Sequence, residues 1–231
     1  MAGRQIGVAI GIPEPYMSEL QTWRERLGDP NAEDIPPHIT LLPPTTLGTA
    51  DLTEVDKHLR VIAARERPFP LHLRGAGTFR PVSPVVFVTL VTGVSDCERL
   101  EAQVRSGPLA RETAFPYHPH VTVAHDVGEE LLDQADQMLA SYDAQFSVWG
   151  FTLFERDAAG VWRPQRDFPF GQGLPGPVEV AQLEPAPTQD ELPGAGPTAD
   201  LPAGVVPAER APLDRLTPEP APWERARPDR G

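Results

Sequence analysis

The chain has 231 residues, with 20 basic and 33 acidic side chains, a formal net charge of −13 and 40% hydrophobic residues. That length allows one domain or one and a half. The acidic balance, with Lys57 the sole lysine, argues against a protein that grips a long polyanion by counterion release, which needs clustered Lys and Arg. No run approaches the ~18 apolar residues of a membrane span. Met1–Pro15 holds one basic residue, Arg4, and its apolar stretch is broken by Gly7 and Gly11, so it reads as a strand and not as a secretory leader. A soluble cytoplasmic protein with no membrane partner is expected. Cys97 is the only cysteine, which rules out an internal disulfide.

Residues 5–12 predict a strand, bounded by Pro13. Met17, Leu20, Trp23 and Leu27 recur at helical spacing over 15–27, and Gly28 follows as a stop. A loop rich in proline leads to a short strand at 38–42, closed by Pro43-Pro44. Leu52, Val55, Leu59 and Ile62 give an amphipathic helix over 51–66, with Asp51 and Glu54 at capping-box spacing. Phe69–Leu73 alternates as a strand. The order then starts again. Residues 84–92 are a strongly apolar strand, and Ser95 and Glu98 match a capping box for a helix whose inner stripe is Cys97, Leu100 and Val104. Gly107-Pro108 ends that helix. A second short strand covers 119–125. Asp126 and Glu129 suggest the next helix start, with Leu131, Leu132, Ala135, Met138, Leu139 and Tyr142 on its buried face. Residues 145–155 read as one long aromatic-rich strand, and a turn leads to a last short strand near Val161–Arg163.

From Gly171 onward the composition changes. That stretch holds 13 Pro and 7 Gly in 61 residues, with Trp223 its one aromatic and no apolar period. Such a segment does not offset its ordering entropy, so a folded domain is expected over 1–170 and a disordered acidic tail over 171–231.

Two short strands carry nearly the same sequence: Pro37-His38-Ile39-Thr40-Leu41 and Pro119-His120-Val121-Thr122-Val123. They lie 82 residues apart, and the surrounding strands and helices recur at similar offsets. A strand alternates its faces with period two. Each copy therefore presents an imidazole and a hydroxyl on one face and two aliphatic residues on the other. A duplicated βαβαβ-like unit is the simplest account, giving an α+β fold whose two halves set the motifs opposite one another.

Two histidines with two hydroxyls suit phosphodiester chemistry. A neutral imidazole takes a proton from an attacking oxygen, an imidazolium gives one to the leaving oxygen, and both roles run near neutrality. The threonine hydroxyls can donate to phosphate oxygens as charge builds. A pH–rate profile shaped as a bell around neutrality is expected. The competing metal reading rests on His118, His120 and His125, but Pro119 separates the first two and no Cys or carboxylate falls at ligand spacing. His58 and His72 read as surface or packing residues. Gly75-Ala-Gly77 lacks the context and the lysine of a phosphate loop. Phe115 and Tyr117 are candidate base stackers, with packing of their loop the alternative. A binding module without turnover also remains open.

The motifs in PPHITLL and YHPHVTVAH resemble those of the 2H phosphoesterase superfamily, which includes the RNA 2′,3′-cyclic phosphodiesterases also called 2′,5′ RNA ligases. The resemblance covers about residues 4–166. It implies two pseudo-symmetric lobes with mainly antiparallel sheets flanking a central cleft. It implies His38 as acid and His120 as base, Thr40 and Thr122 as phosphate binders, and no metal or other cofactor. Hydrolysis of a 2′,3′-cyclic phosphate is the implied reaction, with ligation as its reverse. Members acting on RNA ends often carry Arg three residues after the second Thr. Here that position is His125, a possible substrate contact. An RNA end or a small nucleotide is the expected substrate, with no extended nucleic-acid surface, on a monomer.

Overall fold

Alternating patterns set the strands. In β1 (Arg4–Gly11), Ile6, Val8 and Ile10 enter the core while Gly7, Ala9 and Gly11 take the opposite face. The computed structural model describes residues 4–48, 51–113 and 115–171. The expected tail, apart from Gly171, lies outside the described residues.

After β1 come α1 (Tyr16–Arg26), β2 (His38–Leu47), α2 (Leu52–Arg65) and β3 (Phe69–Thr78). The second half runs β4 (Val85–Thr92), α3 (Val94–Val104), a 3₁₀ turn at Gly107–Leu109, β5 (His120–His125) and α4 (Glu129–Leu139). It closes with β6 (Asp143–Val148), β7 (Gly150–Arg156) and β8 (Trp162–Pro169). All strands join one antiparallel sheet in the order β6-β3-β4-β5-β2-β1-β7-β8. The two lobes are the halves of this sheet, and they meet where β2 lies beside β5.

The equivalence of the halves is closer than the sequence shows. β1 and β4 start 81 residues apart, as do β3 and β7. In the sheet, β3 pairs with β4 and β7 pairs with β1, so one lobe takes β3 from the first half and the other takes β7 and β8 from the second. The helices cross over likewise: α1 packs on β5, and α3 on β2. Separating the lobes would therefore expose core on both sides.

Several expectations change. Residues 145–155 form two strands on opposite halves of the sheet, broken at Trp149. The break has a steric marker: a Cβ on Gly150 would stand 2.5 Å from the Phe168 carbonyl oxygen. β2 runs on through Pro43-Pro44 to Leu47, because a register shift between Ile6 and Val8 absorbs the two prolines. β3 and β8 are also longer than expected. Neither capping box forms. The Asp51 carboxylate accepts from the Gly48 N–H at 3.1 Å, and Ser95 lies inside α3, whose N-cap is Gly93. Leu131 is 36% exposed, and Leu132, Ala135 and Leu139 bury the inner face of α4. Cys97, Leu100 and Val104 form the expected inner stripe of α3, where burial pushes the Cys97 thiol up to about 12.

The last described residues are tied down. Phe170 stacks on Phe69 with ring centroids 6.0 Å apart, and the Gly171 N–H is shared between the carbonyls of Ala63 and Glu66. Among the described residues, no helix is long and apolar enough to cross a membrane.

Candidate active site

The two His-x-Thr strands are the central pair of the sheet. Ile39 pairs with Val121, and both are fully buried. Continuing that antiparallel register by one residue sets His38 across from Thr122 and Thr40 across from His120. The two histidines then lie on a diagonal of roughly 7–8 Å between backbone positions. All four polar side chains are half-buried, while Ile39, Leu41, Val121 and Val123 point into the core. The period-two pattern thus gathers two imidazoles and two hydroxyls around the pseudo-twofold axis.

Each imidazole is oriented in the same way. His38 Nδ1 lies 2.8 Å from the Pro36 carbonyl oxygen, and His120 Nδ1 lies 2.7 Å from the His118 carbonyl oxygen. A carbonyl only accepts, so Nδ1 carries the proton in both rings and Nε2 is the bare nitrogen of the neutral form. Neither Thr40 nor Thr122 spends its hydroxyl on a partner among the described residues. The four groups that chemistry would use are free, and the two groups that only orient are fixed.

Burial holds both histidines well below the ordinary imidazole range, His38 at about 4 and His120 at about 4. The carbonyl bonds oppose this by favouring the protonated rings. Arg24 and His120 press His38 further down by charge, and His118 does the same to His120. That His120 acts on His38 in this way agrees with the diagonal placement.

The loop that delivers His38 is anchored by a charge pair that the sequence reading did not single out. Arg24, buried on α1, donates from Nε to Asp29 at 2.9 Å, and its other nitrogens reach the carbonyls of Asn31 and Ile35. Its signal in the sequence is one Arg within an apolar helix stripe and one Asp just after the Gly28 stop. Phe79 and Phe87 were also missed. They flank His120 with centroids at 4.9 and 5.0 Å. Phe87 fits because Gly77, its cross-strand neighbour, has no side chain: a Cβ there would stand 2.6 Å from the phenyl ring.

The remaining candidates fall elsewhere. Tyr117 is part-buried, and its hydroxyl donates to the Thr40 carbonyl at 3.0 Å, stitching the second motif's loop to the first motif's strand. Phe115 is 52% exposed in that loop and lies outside the ring cluster around His120. His125 is only 4% exposed, with Nδ1 3.3 Å from the Asn31 amide and Nε2 3.5 Å from the Asp126 carboxylate. His125, expected as a substrate contact, is thus a buried residue held between Asn31 and Asp126. Among the described residues, no three His, Cys, Asp or Glu side chains gather as a metal site. His58 and His72 bond the Val104 carbonyl and Asp143 respectively.

A family model for the 2′-5′ RNA ligase superfamily matches residues 12–160. A Halalkalibacterium halodurans protein named as a phosphoesterase is 32% identical over 133 residues, covering 57% of this chain and 77% of that one. A Geobacillus kaustophilus protein of similar name is 29% identical over 167 residues, covering 71% and 95%. Among solved structures, E. coli LigT complexed with phosphate aligns with a TM-score of 0.53 at 20% identity, covering 74% of this chain and 100% of LigT. A Thermus thermophilus protein gives 0.54 at 21% identity, covering 73% and 98%. These likenesses show the fold. With the match spanning both His-x-Thr strands, the chain belongs to the 2′-5′ RNA ligase superfamily of 2H phosphoesterases.

Proposed function

We propose that this protein is a metal-independent phosphoesterase that opens a 2′,3′-cyclic phosphate on a small nucleotide or an RNA end. The observation that carries the reading is the matched pair of histidines. Each donates Nδ1–H to the carbonyl two residues upstream and keeps Nε2 for the cleft. In the reaction, neutral His120 accepts a proton from water as its oxygen bonds to phosphorus. Protonated His38 gives its Nε2 proton to the ribose oxygen as the P–O bond breaks. One water is consumed, and a phosphomonoester with a free hydroxyl results. Thr40 and Thr122 donate to the non-bridging oxygens. The phosphate in LigT and the phosphoesterase names of the relatives support the class of reaction. The acidic chain and the buried His125 favour a small substrate over a long RNA end.

The test is turnover of 2′,3′-cyclic nucleotides by the purified protein. His38→Ala and His120→Ala should each lower kcat by about 10²–10⁴-fold, the range for loss of an acid–base group. EDTA should leave the rate unchanged. Equal rates with either histidine removed would overturn the assignment. Binding measured by calorimetry without product would point instead to a nucleotide-binding module.

A further inference from the structure

Acid–base chemistry by His38 and His120 leaves unused a third imidazole, that of His118 beside His120. His118 is exposed, and its ring lies nearly parallel to that of His120, 22° apart with centroids 6.3 Å apart. Phe79 and Phe87 meet it steeply at 5.8 and 5.6 Å. The same two phenyls flank His120, so one aromatic cluster fixes both rings. The His118 ring nitrogens have no hydrogen-bond partner among the described residues.

The pseudo-symmetry separates what the backbone of this residue does from what its side chain does. By the 82-residue offset, His118 corresponds to Pro36. Both residues give a carbonyl to the Nδ1–H of the following histidine. That role needs no imidazole, as Pro36 demonstrates. The His118 ring is thus an addition to one lobe only, set beside a reacting histidine with its nitrogens free.

We infer that His118 is a phosphate-binding residue of the cleft and that, when protonated, it favours the dianionic phosphomonoester product over the monoanionic cyclic substrate. The inference rests on the hydrolytic reading of the site. A phosphate at the shared edge of the two rings can accept from His118 and, once His120 has taken a proton on Nε2, from His120 as well. A phosphomonoester carries close to two negative charges near neutrality and a cyclic diester one, so an added cation discriminates between them. The titratable side chain in ring contact with His118 is His120. Phe79 and Phe87 are uncharged, and Arg80, next to Phe79, is engaged by Glu129 and Asp133.

Sulfate is the probe, because it stays dianionic through the range in which an imidazole titrates. Its inhibition of cyclic-nucleotide turnover and its binding by calorimetry are measured at pH 5.5 and 8.5. The proteins compared are wild type, His118→Phe, which keeps an aromatic ring in the cluster, and His118→Asn. Both variants retain the main-chain carbonyl that orients His120. At pH 5.5 each should bind sulfate about tenfold more weakly than wild type, the worth of one charge-assisted hydrogen bond. At pH 8.5 all three should agree within about twofold. Wild-type affinity at pH 5.5 in either variant overturns the inference, as does an equal loss at both pH values. Failure of the hydrolytic reading shows separately, as wild-type protein that binds sulfate and leaves cyclic nucleotides intact.

Discussion

In the proposed reaction the two histidines start from an unusual point, because burial keeps both neutral at pH 7. Acid–base turnover needs one ring protonated and one bare. With both held at about 4 in the free protein, that singly protonated state is most populated on the acid side and declines above it. The apex of kcat/KM should therefore lie well below pH 6, instead of at the neutrality that unperturbed imidazoles suggest. A bound phosphate anion favours the imidazolium, so kcat should peak at higher pH than kcat/KM. Full pH profiles of both quantities check this, and a kcat/KM flat from pH 6 to 8 would contradict it. The residues proposed for these roles were legible because Pro-His-x-Thr recurs with one alternation. Their depressed titration was not, since it depends on strands and loops that come from elsewhere in the chain.

Helices and loops decide whether the motifs are held in register. Arg24 on α1 joins Asp29 and two loop carbonyls, and this knot fixes the segment that ends at Pro36 and His38. Both charges are buried, so removing one leaves the other desolvated and unpaired. Arg24→Met should cost about 3–5 kcal/mol in urea unfolding, well beyond the ~1 kcal/mol of a surface pair. It should also raise KM for a cyclic nucleotide as the loop before His38 loosens. A loss under 1 kcal/mol would show that the pair does not anchor the loop. Elements with strong periodicity, such as α2 and α3, were readable. The break between β6 and β7 was not: Gly150 is an ordinary glycine in sequence, and only the approach of the Phe168 backbone shows why it is there.

Across the whole molecule, the same burial couples the site to stability. Between pH 6.5 and about 4 the unfolded chain protonates its histidines while folded His38 and His120 resist. The unfolded state then binds more protons, so stability rises with pH through this window and is lost as pH falls. Each histidine contributes up to about 3 kcal/mol to the total change across the window. Thermal unfolding from pH 7 to 4 should show a fall in Tm, and His38→Asn with His120→Asn should flatten it. An unchanged slope in the double variant would mean that other groups carry the acid sensitivity. Exchange of β3 and β7 between the lobes, with crossed helix packing, makes one cooperative transition the expected form of unfolding.

By itself the sequence determined the symmetry and named the residues that the proposed chemistry would use. Period-two alternation fixes which side chains share a face, and two copies at one spacing imply a duplicated unit. It also determined that His38, Thr40, His120 and Thr122 belong together. The tertiary structure decided how the halves join and which neighbours act on the site. Strand exchange, the Arg24 anchor, the burial of His125 and the cluster of Phe79, Phe87 and His118 bring together residues far apart in the chain. No local pattern records such encounters, because packing forces act between surfaces that exist only once the chain has folded.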